Sequence, residues 1–458
     1  MLKLLKKNPY LTIFIMSLVL RLGFVLSLGE GPVNPARDQN LYRYLATALV
    51  TRGEIMVPGY TQEIKLFLGD IIGEHPWTAE SDMAMGTVPV DTPTSMWDPL
   101  YIVIYAGMLG MGIKSLVGMR LLNVLFGAVA AIIGYKTGLM LGGKRTAWIA
   151  GLALACYPYY IYYAGLAMPE TLNILLLAAV MCGLIVAARK FSIKWSIVLG
   201  VLIGLLALTR SNIVLFIPFL LLYIFLQGIH KGLIAKKLLA ILIILAAFLA
   251  IMSPWIIRNY NVHGKLILIP NRSGINLWMR NSPDAMAPEL AAAGQTIPHY
   301  LLDNLKEKEL LEFPIFAGKD EIERDQILQE RMLRFISVNP EYFAYMSWLR
   351  LSDFMAVVGP NIRGLGAATA GWLSYGIALP FAILSLWFMR CRFRDIWIFY
   401  ALILYYIISH SLLHGGIQYR LPIDQFIVLL AAMTISRISE RVFKLELEKP
   451  QVPDDAAV

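Results

Sequence analysis

Apolar runs of about twenty residues recur along this chain, separated by short knots of lysine and arginine, and few architectures tolerate that pattern. A helix rises about 1.5 Å per residue, so roughly 20 apolar residues cross a hydrocarbon core about 30 Å thick. Runs near that length lie at 10–29, 118–141, 146–166, 169–188, 195–211, 212–229, 238–257, 370–389, 395–413 and 420–437. The expectation is an all-α polytopic membrane protein of ten or eleven spans. Composition agrees: 16% of the residues are charged, where a soluble domain carries about 25%.

The formal net charge of +9 invites a nucleic-acid reading, and the placement of the charge argues against one. Basic residues cluster between runs: Lys3, Lys6 and Lys7; Lys144 and Arg145; Arg189, Lys190 and Lys194; Lys231, Lys236 and Lys237; Arg390, Arg392 and Arg394; Arg437, Arg441 and Lys444. Such punctuation marks cytoplasmic loops. The segment 99–113 is short for a span. If it lies on the surface, every cluster falls on one side with both termini cytoplasmic; if it crosses, those from Lys144 onward change sides. Loop charge favours the first arrangement. The first run follows a basic start but has no small-residue cleavage site, and Arg21 interrupts it; we read it as a retained helix. Cys156, Cys182 and Cys391 are scattered and odd in number, so we expect small buried side chains rather than disulfides.

Two large segments then face the extracytoplasmic side. The first, 30–98, holds ten acidic and four basic residues. The second, 258–369, is mixed in charge, with helices expected at 299–312, 320–337 and 341–357. In the middle helix Ile322, Leu328, Met332 and Phe335 fall near one face, and Asn339-Pro340 ends it.

Chemistry-bearing residues gather at the outer edges of the spans. Asp38 opens a helical pattern with Tyr42 and Leu45 on its face, and suits either a general base or an N-cap. Glu170 follows Pro169 at the first turn of an apolar helix. The helix dipole favours a carboxylate there, yet at that depth it needs water, a cation or a basic partner. Arg210, Arg258 and Arg420 sit at outer edges, with Asn271, Arg272 and Tyr419 near them in topology. An arginine fork can snorkel to headgroups or bind a phosphate bidentately. Arg21 is deeper than snorkelling explains. The tyrosines at 157, 159, 160, 162 and 163 read as an interfacial belt. His75, His263, His410 and His414 have no metal-ligand spacing, so no metal site is assigned. No Walker motif, GxGxxG fingerprint or GxSxG elbow stands in a supporting context.

Taken in order, these landmarks resemble the GT-C superfamily of polyprenyl-phosphate-sugar-dependent glycosyltransferases, nearest to family 39, the branch of protein O-mannosyltransferases and aminoarabinose transferases. Asp38 in Arg37-Asp-Gln-Asn-Leu-Tyr-Arg-Tyr-Leu-Ala46 is similar to that family's first outer acid. Trp97-Asp-Pro-Leu-Tyr101 is similar to its Pro-Pro-Leu-Tyr element, and Glu170 in Ala167-Met-Pro-Glu170 to its second outer acid. Gly204–Arg210, Pro254–Tyr260, Asn271–Asn276 and Tyr419–Pro422 resemble later landmarks.

The resemblance implies a GT-C fold with a transmembrane catalytic module over 1–257, including outer loop 30–98. It adds an extracytoplasmic domain at 258–369, C-terminal spans at 370–444 and a cytoplasmic tail at 445–458. It implies inverting transfer of a sugar from an outer-leaflet polyprenyl-phosphate donor to an envelope glycan, lipid or protein. Asp38 would deprotonate the acceptor and Glu170 would position it, a basic partner or a cation. Tyr42, Arg43, Arg210, Arg258, Asn271, Tyr419 and Arg420 would bind substrate. No cofactor is obligatory, and a divalent cation, Mg or Mn, is allowed. Gln39 stands where many relatives have Glu, and Asp98 where some have a basic residue or proline. A glycolipid transporter or flippase, or a non-catalytic envelope-assembly protein, are the alternatives; the first should show repeat symmetry and midplane charges, the second should tolerate Asp38→Asn.

Overall fold

A computed structural model describes residues 8–29, 37–56, 91–227, 234–292, 294–312, 314, 316, 319–358 and 365–447. Among these the chain is helical, with one isolated antiparallel bridge, Met56 to Pro93. The helices are α1 Pro9–Leu28, α2 Arg37–Arg52, α3 Pro99–Gly110, α4 Leu116–Ala155, α5 Pro158–Ala164, α6 Glu170–Lys190, α7 Ile193–Ala207, α8 Ile217–Leu226 and α9 Ile234–His263. They continue as α10 Ser273–Asn281, α11 Pro283–Ala292, α12 His299–Asp303, α13 Glu321–Val338, α14 Pro340–Met355, α15 Leu365–Gly371, α16 Ile377–Phe388, α17 Phe393–Leu412 and α18 Ile417–Leu447.

Among the described residues, seven stretches are long and apolar enough to cross a membrane. One of them is really two. A straight helix of the 40 residues of α4 would be about 60 Å long, twice the hydrocarbon thickness. It turns back at Gly143, where φ is 79°, a conformation that glycine adopts without strain. The two arms pack antiparallel: a Cβ on Gly138 would lie 3.0 Å from Cα of Ala147. With the shorter apolar helices α7 and Ser211–Leu226, the described residues of all ten runs read from the sequence are mainly helical, the run 146–166 with a break at Cys156. The chain is a multi-pass membrane protein. Glycine also sets the approach of α7 to α9, because a Cβ on Gly200 would sit 2.4 Å from the carbonyl oxygen of Ile244. The bundle centres on α6 and α18, whose apolar windows are 89% and 83% buried.

Helix α3 has 12 residues, about 18 Å, too short to span. Both its ends lie at one end of the bundle. Leu100 N donates to Leu208 O at its start, and Arg43 donates to Lys114 O just beyond it. Arg120, in the first turns of α4, donates to Gly29 O at the end of α1. The segment 99–113 therefore does not cross, and the described basic clusters meet at the opposite end. There Arg145 donates to Ser439, Arg189 to Met140 O, Arg392 to Leu141 O and Arg394 to Leu226 O.

Helices α10 to α14 form the domain outside the spans. Asp320 and Glu323 make a reciprocal capping box at the start of α13. The face formed by Ile322, Leu328, Met332 and Phe335 is buried, as the periodicity predicts. Gly274 lets α10 close on α13: its Cβ would fall 1.9 Å from Asp325 O. The expected helix at 299–312 is instead α12 followed by a 3-10 turn at Lys308–Leu311, because Glu307 takes a left-handed φ of 51°. Two further expectations are corrected. Only Cys182 is buried, whereas Cys156 and Cys391 are exposed. Tyr157, Tyr159 and Tyr160 are buried rather than belt residues; they donate to Asp424, Val357 O and Leu421 O and so bind the C-terminal part of the chain to α5.

Candidate active site

At the end opposite the basic clusters, the termini of α2, α6, α7, α17 and α18 surround a cavity of about 530 Å³, closed from the side by α10 and α13. Glu170, at the first turn of α6, has its side chain 3% exposed; one carboxylate oxygen accepts from Arg210 Nη2 and the other is buried without a donor. Arg210 is 30% exposed, so the pair faces the cavity rather than the protein interior.

Asp98 is the second carboxylate of this wall. It precedes Pro99 and would be expected to cap α3, yet its side chain makes no cap bond. It turns instead toward Ser211, with Arg210 and Arg272 in Coulombic range. Burial dominates and raises its pKa to about 6, against the lowering influence of those cations. Arg272 rests over the Trp97 ring at 5.2 Å. Two acids and two arginines thus share one cavity. Further oxygens lack donors there, those of the Asn173 and Asn212 amides and one of Asp98.

The far wall is aromatic. Tyr419 stacks on His410 at 5.1 Å, and His414 packs on Tyr419 at 5.2 Å. Burial, with Arg280 and Arg272 nearby, depresses the His414 pKa well below the usual imidazole range and keeps that ring neutral. Among the described residues no three His, Cys, Asp or Glu side chains gather as a metal-binding cluster.

Of the nine residues assigned to the site from the sequence, Tyr42, Glu170, Arg210 and Tyr419 line this cavity, and Arg272, His410 and His414, noted there without a role, line it too. Asp38 is the second residue of α2, and its side chain lies outside the described residues. The neighbouring Gln39 is buried and accepts from Ala167 N at 3.2 Å, so the start of α2 docks on the loop that leads to Glu170. The remaining four are absent from the cavity lining, and protein groups hold each of them. Arg43 is buried and donates to Lys114 O. Arg258 pairs with Glu54 at 2.8 Å and donates to Thr94 O and Ile55 O, pinning the outer loop. Asn271 donates to Glu321 O. Arg420 donates to Asp424, Phe354 O and Ala356 O and covers the Tyr375 ring at 3.5 Å. Arg21, the deep arginine of α1, is likewise held by Ser17, Leu154 O and Ala155 O. Asp98, Asn173 and Asn212 were not marked as candidates in the sequence: an acid before proline reads as a cap, and asparagines in apolar helices carry no motif.

The fold matches solved structures across nearly its whole length. The oligosaccharyltransferase of Archaeoglobus fulgidus in its apo form aligns with 96% of this chain at 12% identity and TM-score 0.55. The chain has the GT-C fold. The form of that enzyme tethered to an acceptor peptide containing an NVT sequon aligns with 97% at 14% identity and the same TM-score. In both cases the chain spans about half, 51%, of the matched protein. ArnT from Cupriavidus metallidurans bound to undecaprenyl phosphate aligns with 96% of this chain and 79% of its own, at 14% identity and TM-score 0.41. Residues 96–257 match the family model of dolichyl-phosphate-mannose-protein mannosyltransferases. No curated protein matches in sequence. The matched span includes Asp98, Glu170 and Arg210, three residues of the cavity wall.

Proposed function

We propose that this protein transfers a sugar from a polyprenyl-phosphate donor to an acceptor at the extracytoplasmic face, with inversion, and that the cavity around Glu170 and Arg210 is where it does so. One observation carries the reading: an arginine-bearing cavity, lined by oxygens without donors, lies at the bundle end opposite the basic clusters. Its chemistry suits the reaction. Arg210 and Arg272 would stabilise a leaving phosphate, since preorganised cations at developing charge are often the largest catalytic contribution. The unpartnered oxygens of Glu170, Asp98, Asn173 and Asn212 accept from sugar or acceptor hydroxyls. The aromatic wall of Tyr405, Tyr406 and Tyr419 gives an apolar flank for a prenyl chain or a sugar ring.

Asp38 is assigned as the general base that takes the acceptor proton while the acceptor attacks the anomeric carbon. Glu170, tied to Arg210, positions acceptor and arginine together. The reading needs no cofactor. The unpartnered oxygens of Glu170 and Asp98 suit a hard cation such as Mg or Mn, which when bound would add positive charge beside the phosphate. The basic end is assigned to the cytoplasm, with both termini there. The acceptor is an envelope glycan, lipid or protein.

Transfer from radiolabelled polyprenyl-phosphate sugars, with purified protein in lipid, tests the assignment. Asp38→Asn is expected to cut product formation by about 10²–10⁴-fold, the span usual for a general base. Undiminished product from that variant overturns the catalytic role. A thiol introduced at Lys144 should label only from the cytoplasmic side; labelling from outside reverses the sidedness.

A further inference from the structure

A second cavity, of about 350 Å³, opens at the basic end of the bundle, far from the site just described. It lies between the Gly143 turn of α4, the Met389–Arg392 turn linking α16 to α17, and the last turns of α18. Its lining includes Arg390, Arg392, Arg437 and Arg441 but a single acid, Glu440. Among the described residues only Arg392 and Arg437 have acidic neighbours, Asp395 at 3.9 Å and Glu440 at 3.5 Å. Arg390 lies over the Trp387 ring at 4.5 Å and Arg441 over Phe388 at 5.3 Å, and neither makes an ion pair among the described residues. Four guanidinium groups facing one cleft repel one another, and an anion between them would relieve that.

The approach to the cleft identifies the anion. Pro380, Ile383, Leu384, Leu386 and Trp387 of α16 are exposed on the membrane-facing side and lead directly to Arg390. A free phosphate would make no use of this apolar track. A lipid would lay its acyl chain along it, with a phosphate group among the arginines and Trp387 at the interface. We propose that this cleft is a binding site for an anionic phospholipid, held by Arg390, Arg437 and Arg441 at the membrane surface. The inference is independent of the proposed transfer reaction.

The test uses the full chain in nanodiscs of phosphatidylcholine alone or mixed equally with phosphatidylglycerol. Native mass spectrometry reads the retained lipid, and alkylation of Cys391, which lies within the cleft and is exposed, reads occupancy without any substitution. Phosphatidylglycerol is expected to stay bound through detergent exchange and to slow Cys391 alkylation. The double variant Arg390→Gln, Arg441→Gln should bind it about thirtyfold more weakly, from roughly 1 kcal/mol for each arginine. Both side chains are exposed, so the fold should survive. Arg394→Gln removes a charge outside the cleft lining and should leave retention as in the wild type. Equal retention of phosphatidylcholine, or unchanged retention in the double variant, overturns the proposal. So does equal Cys391 protection by inorganic phosphate or glycerophosphoglycerol, which would make the site one for free anions.

Discussion

The Glu170–Arg210 pair and the Arg420–Asp424 pair lie at the same end of the bundle and are built from the same two functional groups. Their surroundings differ. Arg420 and Asp424 are both 0% exposed, and Arg420 Nη1 donates to the carbonyls of Phe354 and Ala356 while its Nη2 is buried without an acceptor. Asp424 is also bonded by Tyr157. That pair joins α18 to the end of α14 and has no contact with the cavity. Arg210 remains 30% exposed to a space of about 530 Å³, and Glu170 keeps an oxygen with no donor. The difference teaches that an arginine–carboxylate pair is structural when packing seals it from any cavity, and available for ligand when it borders one.

Arg420→Ala tests the comparison hardest. It strands a buried Asp424, a change that typically costs about 3–5 kcal/mol, so folded protein recovered after detergent extraction should fall sharply. A variant that folds normally and loses only activity would falsify the structural role. At the other pair, Glu170→Gln should reduce sugar transfer by about a hundredfold and shift unfolding by only about 1 kcal/mol. Loss of folded protein in this variant would erase the contrast.

Asp98 sharpens the cavity side through pH. Its pKa is raised to about 6, so the native state holds the proton that the unfolded state has lost, and stability falls as pH climbs from about 4 to about 6. Asp98→Asn escapes that loss. It should melt higher than wild type at about pH 7, by at most about 3 kcal/mol, and the gap should close near pH 4. A gap of equal size at both pH values would place the effect in packing. The smallest effect is expected at Tyr419→Leu, which removes the stack on His410; about 1 kcal/mol should appear as a severalfold rise in donor KM with kcat little changed.

Much of this architecture was legible from local pattern. The ten apolar runs, the non-crossing segment at 99–113, the face of α13 and its end at Asn339-Pro340 all follow from hydrophobic length, loop charge and periodicity. The Gly143 reversal could be placed between two runs. The break at Cys156 inside the run 146–166 and the left-handed Glu307 could not, because neither leaves a mark on composition.

The candidate site divides along the same line. The sequence by itself determined that Glu170, Arg210, Arg258 and Arg420 fall at span edges away from the basic clusters, since depth follows from counting residues along a helix. It could not distinguish Arg210 from Arg258 or Arg420. Each reads as a lone cation beside an apolar run, and its fate depends on which distant carbonyls and carboxylates arrive beside it. Only the tertiary structure brought Thr94 and Glu54 to Arg258, Phe354 and Ala356 to Arg420, and left Arg210 with Glu170 at the edge of a cavity. The same packing drew Asp98 away from its capping position into that cavity. Membrane insertion is a sum over local transfer free energies, whereas hydrogen-bond saturation is a property of contacts between residues far apart in the chain.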